Sequence, residues 1–405
     1  MVSVPIAKSR HAEPPAIVWR AVLSAFCTSL IGIGLARFAY TPLLPAIIGA
    51  HWFEPAAAAY LGAANLAGYL LGALSGRPLS ARMPLVVVLR TMMLLATATF
   101  FACAYPVGFA WFFVWRFVAG VAGGALMVLA APNVLPHVPA SRRGVAGGAI
   151  FMGVGVGIAI SGTLVPLLLA QGLRETWSGL GAVSLLLTLV GWSGWPPASA
   201  PAASASVPSH APKLWSLRAL YAEYGLNAAG WLPHMVFLVD FIARGRGEGI
   251  KTGSEYWVIF GLGATVGPLL IGHLADRAGF KAALRVAFLV QIAAIAIPAL
   301  GLGRVWLIGS SFVVGSFLTA TVPLVLGRLH ELLPHHPAQQ KAAWSHATVG
   351  FALCQAVAAY GLSFVFAESG GNYRLLFGIG SAAMMLALAI DLLAAFIARP
   401  RREQP

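Results

Sequence analysis

Charged side chains are scarce in this chain. They make up 9% of its 405 residues, and only 12 residues are Asp or Glu, whereas hydrophobic residues make up 59%. A water-soluble domain of this length needs a much larger charged fraction to cover its surface. The composition therefore excludes an ordinary soluble enzyme and indicates a protein whose surface lies mostly in lipid.

Cysteine is equally rare. Cys27, Cys103 and Cys354 all fall inside apolar segments and share no ligand spacing, so we expect neither a disulfide framework nor a metal site. The sequence also lacks a glycine-rich phosphate-binding loop that follows a strand and opens a helix. No nucleophile–base pair is visible either. We therefore expect no cofactor, no ATP hydrolysis and no enzymatic activity.

Long apolar runs dominate what remains. A bilayer is crossed by about 20 residues of helix, and backbone polar groups cannot stay unpaired in lipid. These rules predict twelve spans at 18–47, 57–77, 84–105, 108–134, 144–170, 176–195, 217–243, 254–276, 281–301, 304–329, 342–367 and 373–397. We expect an all-α membrane protein in which two pseudo-symmetric six-helix bundles follow one another.

A segment rich in Pro, Ala and Ser separates the two sets of six spans and reads as a flexible linker. The expected domains are an N-terminal tail (1–17), a first bundle (18–195), a linker (196–216), a second bundle (217–397) and a C-terminal tail (398–405).

Basic residues are distributed unevenly between the loops. The chain has 26 Lys and Arg and a net charge of +14, and most of these cations fall in the short loops on one side of the predicted bundle. Such a bias sets membrane orientation and does not form a nucleic-acid-binding face. We expect a bacterial inner-membrane protein with both termini and the linker in the cytoplasm, and no nucleic-acid partner.

Two of these basic loops repeat one pattern half a chain apart. The second-half copy has Gly272, Asp276-Arg277, Gly279 and Lys281, and the first-half copy begins at Gly72 and keeps Arg77. Gly76 stands in the first copy where the second has its aspartate. An internal repeat in a membrane chain is typical of a secondary transporter.

The second-half loop resembles the signature of the major facilitator superfamily, found between its helices 2 and 3 and often echoed between 8 and 9. A narrower resemblance to the YbfB/YjiJ-like branch lies in 32–45 and in 153–162, with their repeated glycines. The resemblance implies two six-helix bundles with helices 1, 4, 7 and 10 around a central cavity. It implies no particular substrate.

In that superfamily the loop is understood as a latch that favours one arrangement of the two bundles. The resemblance assigns this role to Gly272, Asp276, Arg277, Gly279, Lys281 and, less completely, Arg77. Physically, such charges can hold the free backbone groups at neighbouring helix ends. The alternative is that they are solvated loop charges that only set orientation.

Two arginines lie inside predicted spans, Arg37 in the first and Arg116 in the fourth. A charge near the bilayer centre costs about 2.5–3.5 kcal/mol, and helix rise places both in the outer half at similar depth. Guanidinium forks suit carboxylates and phosphates, so an organic anion is the preferred cargo. In the alternative, each arginine bonds to carbonyl groups or an acidic side chain and locks helix packing. The segment from Arg116 to Gly124 also resembles the superfamily's fourth-helix motif, whose arginine has been linked to proton coupling.

The seventh span carries several further polar side chains. Glu223 and Asp240 are candidates for a coupling proton, because a carboxyl group in the membrane can bind and release a proton as access alternates. The other proposed substrate-binding residues are Tyr40, Asn227, Trp231, His234 and Gln355.

These observations predict a secondary active transporter, a symporter or antiporter, that moves a small organic anion by alternating access and acts as a monomer. Efflux of small hydrophobic or drug-like compounds is the alternative within the class. A membrane sensor or scaffold that transports nothing is the alternative outside it.

Overall fold

The computed structural model describes residues 15–139, 142–196, 214–334 and 337–397. Residues 1–14 and 398–405 of the expected tails and 197–213 of the expected linker lie outside them. Every regular element in the described ranges is a helix. The first half contains α1 (Pro15–Ser29), α2 (Tyr40–Gly49), α3 (Pro55–Arg82), α4 (Leu85–Cys103), α5 (Phe109–Val134), α6 (Arg143–Leu169) and α7 (Leu173–Val190). The second half contains α8 (Leu214–Gly230), α9 (Leu232–Asp240), α10 (Gly249–Ala278), α11 (Phe280–Leu300), α12 (Arg304–Leu332), α13 (Pro337–Glu368) and α14 (Tyr373–Ile397).

The predicted spans agree with these helices to within a few residues. Eleven spans in the described chain are long and apolar enough to cross a membrane. The one expected span that is not among these eleven is 176–195. It corresponds to α7, which has 18 residues and carries Glu175 in its first turn. All-helical membrane architecture is thereby confirmed.

The first and seventh spans are not continuous helices, so the prediction of an unbroken helix over each is wrong. Beyond α1 the chain forms a π-helix at Leu30–Leu35 and a turn at 36–39 before α2 begins. A corresponding interruption at Trp231 separates α8 from α9. Pro42 and Pro233 follow the two breaks and lack the amide hydrogen that a continuous helix requires.

We call the side of the bundle where α1 begins and α14 ends the tail face, and the opposite side the far face. Several of the contacts described between the two halves lie at mid-depth or toward the far face. The hydroxyl group of Thr41 in α2 donates to the carbonyl oxygen of Met235 in α9. The rings of Tyr60 and Tyr360 lie 6.2 Å apart near the far ends of α3 and α13. In this conformation the halves are therefore joined on the far side.

Glycines allow α3 and α5 to touch backbone to backbone. A Cβ atom on Gly68 would overlap the carbonyl oxygen of Phe117, and one on Gly120 would overlap that of Asn65. This close approach fixes the height of Arg116 on α5 against Asn65 on α3. The amide of Asn65 donates through Nδ2 to the Arg116 carbonyl oxygen at 3.1 Å.

We expect Gly120→Ala to destabilise the fold by about 1–3 kcal/mol, because overpacking at a tight contact forces the backbone to move. The measurement is the melting temperature of the purified protein in detergent. Gly309→Ala is the matched control, since Gly309 also lies in a spanning helix but a Cβ there meets nothing within 4 Å. Equal effects of the two substitutions would contradict the close packing of α3 and α5.

Candidate functional site

A small cavity lies where the two interrupted spans meet. Its volume is only about 10 Å³, about the space of one water molecule, and its lining comes from α2, α3, α5, α9 and the break before α2. The polar lining residues are Arg37, Tyr40, Thr41, Asn65 and Arg116. Ligand pockets usually measure about 300–1,000 Å³, so the two halves must separate further to admit a cargo molecule.

Arg37 lies in the break of the first span and is 8% exposed. Its guanidinium carbon is 5.2 Å from the ring centre of Phe38, 5.1 Å from that of Tyr69 and 6.0 Å from that of Trp231. Its Nη2 atom donates to the sulfur of Met235 at 3.3 Å, and its Nε atom has no hydrogen-bond partner. Because a thioether is a weak acceptor, the guanidinium of Arg37 can still donate a strong hydrogen bond to another group.

Arg116 is held more firmly. Its Nη1 atom donates to the carbonyl oxygen of Ala36 at 2.7 Å, and its guanidinium carbon lies 4.3 Å from the ring centre of Tyr40. The bond to Ala36 fixes the break of the first span from the side of α5. Arg116 therefore has a structural contact that Arg37 lacks.

The electrostatic environment of the cavity is positive. Among the described side chains, no carboxylate forms an ion pair with Arg37 or Arg116. Helix α2 begins beside these two arginines, and the N-terminus of a helix carries about half a positive charge. An anion that entered this cavity would meet two guanidinium groups and a favourable helix dipole.

Several of these neighbours were not among the site residues predicted from the sequence. Asn65 and Thr41 are polar residues within spans, which was a usable signal, and the Oδ1 atom of Asn65 has no partner. Tyr69 was recognisable only as one of many aromatic residues. Met235 gave no signal, because its role depends on the contact between the two halves.

The remaining candidates on α8, α9 and α13 divide into two groups. Trp231 faces Arg37, and its ring centre lies 6.2 Å from that of Phe351. Asn227 and His234 instead point into the second half, where Asn227 donates to Gln291 at 3.3 Å and the Nε2 atom of His234 lies 2.8 Å from the Ser310 hydroxyl. The structure thus places Asn227 and His234 away from the arginine cavity.

Gln355 is 1% exposed, and neither its Oε1 nor its Nε2 atom has a hydrogen-bond partner. It lies one helical turn beyond Phe351 on α13, toward the far face, and residues four apart share a helix face. Buried polar atoms without partners require an explanation. A polar group on a bound cargo molecule would supply one.

The two acidic candidates have different surroundings. Asp240 is fully buried at the far end of α9, accepts a 2.6 Å hydrogen bond from Tyr373 and lies 3.4 Å from Arg244. Glu223 is 3% exposed on α8, and no hydrogen bond or ion pair links it to another described side chain. Of the two, Glu223 is the carboxyl group without a fixed partner.

The loop assigned to the latch joins α10 to α11. Gly279 has a φ of +80°, a conformation that favours glycine, and it ends α10. Glu331 of α12 accepts the Phe280 amide at 3.0 Å and a 2.7 Å bond from Arg328. A carboxylate thus caps the N-terminus of α11, which the sequence analysis had not anticipated.

The other latch residues are placed less completely. Arg77 and Arg277 are exposed, and Lys281 is half-buried with an interaction partner. Gly272 lies within α10, and the side chain of Asp276 is outside the described part of the structure.

A sequence profile of the family described as "Uncharacterised MFS-type transporter YbfB" matches residues 29–392. The chain belongs to this family of the major facilitator superfamily. It is thus a multi-pass membrane transporter, as the loop and glycine motifs indicated, and not an enzyme. A search of curated protein sequences gives no match.

Solved structures with the same fold support the architecture of this transporter. A nucleoside transporter, NupG, superimposes with a TM-score of 0.74 at 14% identity, over 93% of this chain and 99% of that one. A D-xylose–proton symporter gives 0.69 at 14% identity, over 92% and 97%. A bacterial homologue of the human lysosomal transporter Spinster, inward-facing and occupied, gives 0.67 at 16% identity, over 96% and 98%. At these identities the likeness concerns the fold alone.

Proposed function

We propose that this transporter carries a small organic anion, whose acidic group binds Arg37. The observation that supports this most directly is a guanidinium buried between the two halves with no carboxylate partner in the described structure. Burying a charge without a partner is costly. The cost is understandable if the partner is the cargo.

The position of Arg37 between the halves supports transport by alternating access. In this conformation its Nη2 atom contacts Met235 of α9, and Thr41 next to it also bonds to Met235. A carboxylate is a much stronger acceptor for a guanidinium than a thioether sulfur. A bound anion would therefore compete for the group that helps hold the far side closed, and the far-side contacts would loosen.

The same proposal includes the orientation of the protein in its membrane, its oligomeric state, its energy source and its latch. The tail face is cytoplasmic, the membrane is the bacterial inner membrane, and the protein works as a monomer made of the bundles 18–195 and 217–397. The energy comes from an ion or solute gradient, with a proton at Glu223 as the candidate coupling ion. The loop at 272–281, supported by the cap from Glu331, acts as the latch on the tail side.

A thermal-shift screen of the purified protein tests the anion proposal. A ligand that binds only the folded state raises the melting temperature by mass action. We expect carboxylates to raise that of the wild type and to leave that of Arg37→Ala unchanged. Stabilisation of both proteins by lipophilic cations, with no response to carboxylates, would reject the proposal and favour efflux of drug-like compounds.

A further inference from the structure

Aromatic rings form a continuous series from Arg37 toward the tail face. The ring centre of Trp231 lies 6.2 Å from that of Phe351, which lies 4.5 Å from that of Tyr224. Tyr224 in turn lies 6.1 Å from Trp344, and the two rings are stacked at an interplanar angle of 29°. We call these four residues the aromatic ladder: Tyr224 of α8, Trp231 of the break between α8 and α9, and Trp344 and Phe351 of α13.

The ladder lies in the second half and reaches the interface between the two halves at Trp231. Its first ring, Trp231, is within 6.0 Å of the Arg37 guanidinium, which belongs to the first half. The ring of Tyr69 on α3 lies 5.1 Å from the same guanidinium. Phe351 and Trp344 are only partly buried. Trp231 is therefore the ring of the ladder that lies nearest to a cargo molecule bound at Arg37.

The number of free guanidinium groups limits the charge of the cargo. The Nε atom of each arginine has no partner, but Arg116 donates a 2.7 Å hydrogen bond to the carbonyl oxygen of Ala36, whereas the hydrogen bond of Arg37 goes to the sulfur of Met235, a weaker acceptor. The fork of Arg37 is therefore the freer of the two. One free fork binds one carboxylate bidentately. A second carboxylate on the same molecule would be removed from water without a comparable partner, which is unfavourable.

From these contacts we propose that the cargo is an aromatic monocarboxylate, with its acid group on Arg37 and its ring against Trp231 and Phe351. Offset or edge-to-face ring pairs are stronger than their buried area alone predicts. When the halves separate, the side of Trp231 that faces Arg37 is uncovered. A flat ring can stack there, whereas a bulky aliphatic group cannot. This inference deepens the organic-anion proposal and rests on it.

The test is a binding series on the full-length protein in detergent, read as dissociation constants. Benzoate is compared with cyclohexanecarboxylate, which keeps the charge and loses the ring. Terephthalate adds a second carboxylate and benzamide removes the charge. We expect benzoate to bind about fivefold to tenfold more tightly than cyclohexanecarboxylate, terephthalate to bind less tightly than benzoate, and benzamide not to bind.

Substitutions at two positions of α13 distinguish an effect of the ladder from an effect on general packing. Phe351→Leu should reduce the preference for benzoate over cyclohexanecarboxylate to about one, and Phe351→Tyr should keep it. Phe364→Leu is the control, because Phe364 is on α13 but 56% exposed. It should leave the preference unchanged. The wild-type series decides the question even if Phe351→Leu does not fold.

The outcomes distinguish this inference from the proposal beneath it. Equal binding of benzoate, cyclohexanecarboxylate and terephthalate, lost in Arg37→Ala, would overturn the aromatic inference and leave the organic-anion proposal standing. Absence of binding by every carboxylate would overturn both.

Discussion

Replacing Arg37 by Met is expected to raise the melting temperature of the cargo-free transporter and to abolish its response to organic anions. The guanidinium is almost fully buried, and its only hydrogen bond to a described residue goes to a sulfur atom. Exchanging a buried ion pair for apolar groups of similar volume is often neutral or stabilises a protein by about 1–4 kcal/mol. Arg37 has no described carboxylate partner to offset its desolvation, so we expect its exchange to be stabilising. Anion transport into proteoliposomes should nevertheless fall by about 100-fold or more, since the charge-assisted contact is lost.

Arg116→Met is the matched control for this prediction. The substitution removes the donor to the Ala36 carbonyl oxygen at the break of the first span. An acceptor left without its partner in a buried position costs about 1–3 kcal/mol. We therefore expect a lower melting temperature for Arg116→Met and a higher one for Arg37→Met. A similar loss of stability in both variants would show that Arg37, too, is a structural lock.

For these two arginines, the depth in the membrane could be predicted from the sequence and the hydrogen-bond partners could not. Their depth could be predicted, because helix rise is constant and each span begins at a recognisable loop. Both arginines do line one cavity. Their partners could not be predicted, since the Ala36 carbonyl oxygen becomes available at a break in the helix and Met235 arrives from the other half of the chain.

The helices themselves could be predicted closely because lipid leaves the backbone few alternatives. The breaks at 36–39 and at Trp231 were missed, since proline is compatible with a continuous but kinked helix and does not by itself specify an interruption. The cap formed by Glu331 on α11 was also missed. It joins residues far apart in the chain, and no spacing rule connects them.

Glu223→Gln is expected to remove the effect of a pH gradient on transport while preserving exchange of labelled cargo across the membrane. The charged groups that act on Glu223 are Lys281 and Arg285 of α11, Arg328 of α12 and Asp391 of α14. Arg285 already forms an ion pair with Asp391, and Arg328 forms one with Glu331. Glu223 is therefore surrounded by charges that have partners of their own and remains available to carry a proton.

The measurement is cargo accumulation in proteoliposomes with and without an inward proton gradient, beside counterflow exchange at equal pH. In the wild type we expect the gradient to increase accumulation about tenfold, which corresponds to about one pH unit across the membrane for one proton per cargo molecule. Glu223→Gln should lose this increase and keep counterflow. Asp240→Asn is the control, because Asp240 is held by Tyr373 and Arg244 and should affect stability more than coupling. If Glu223→Gln still accumulates cargo in response to the gradient, the coupling proton binds elsewhere. If the variant loses counterflow as well, Glu223 supports the structure of the bundle.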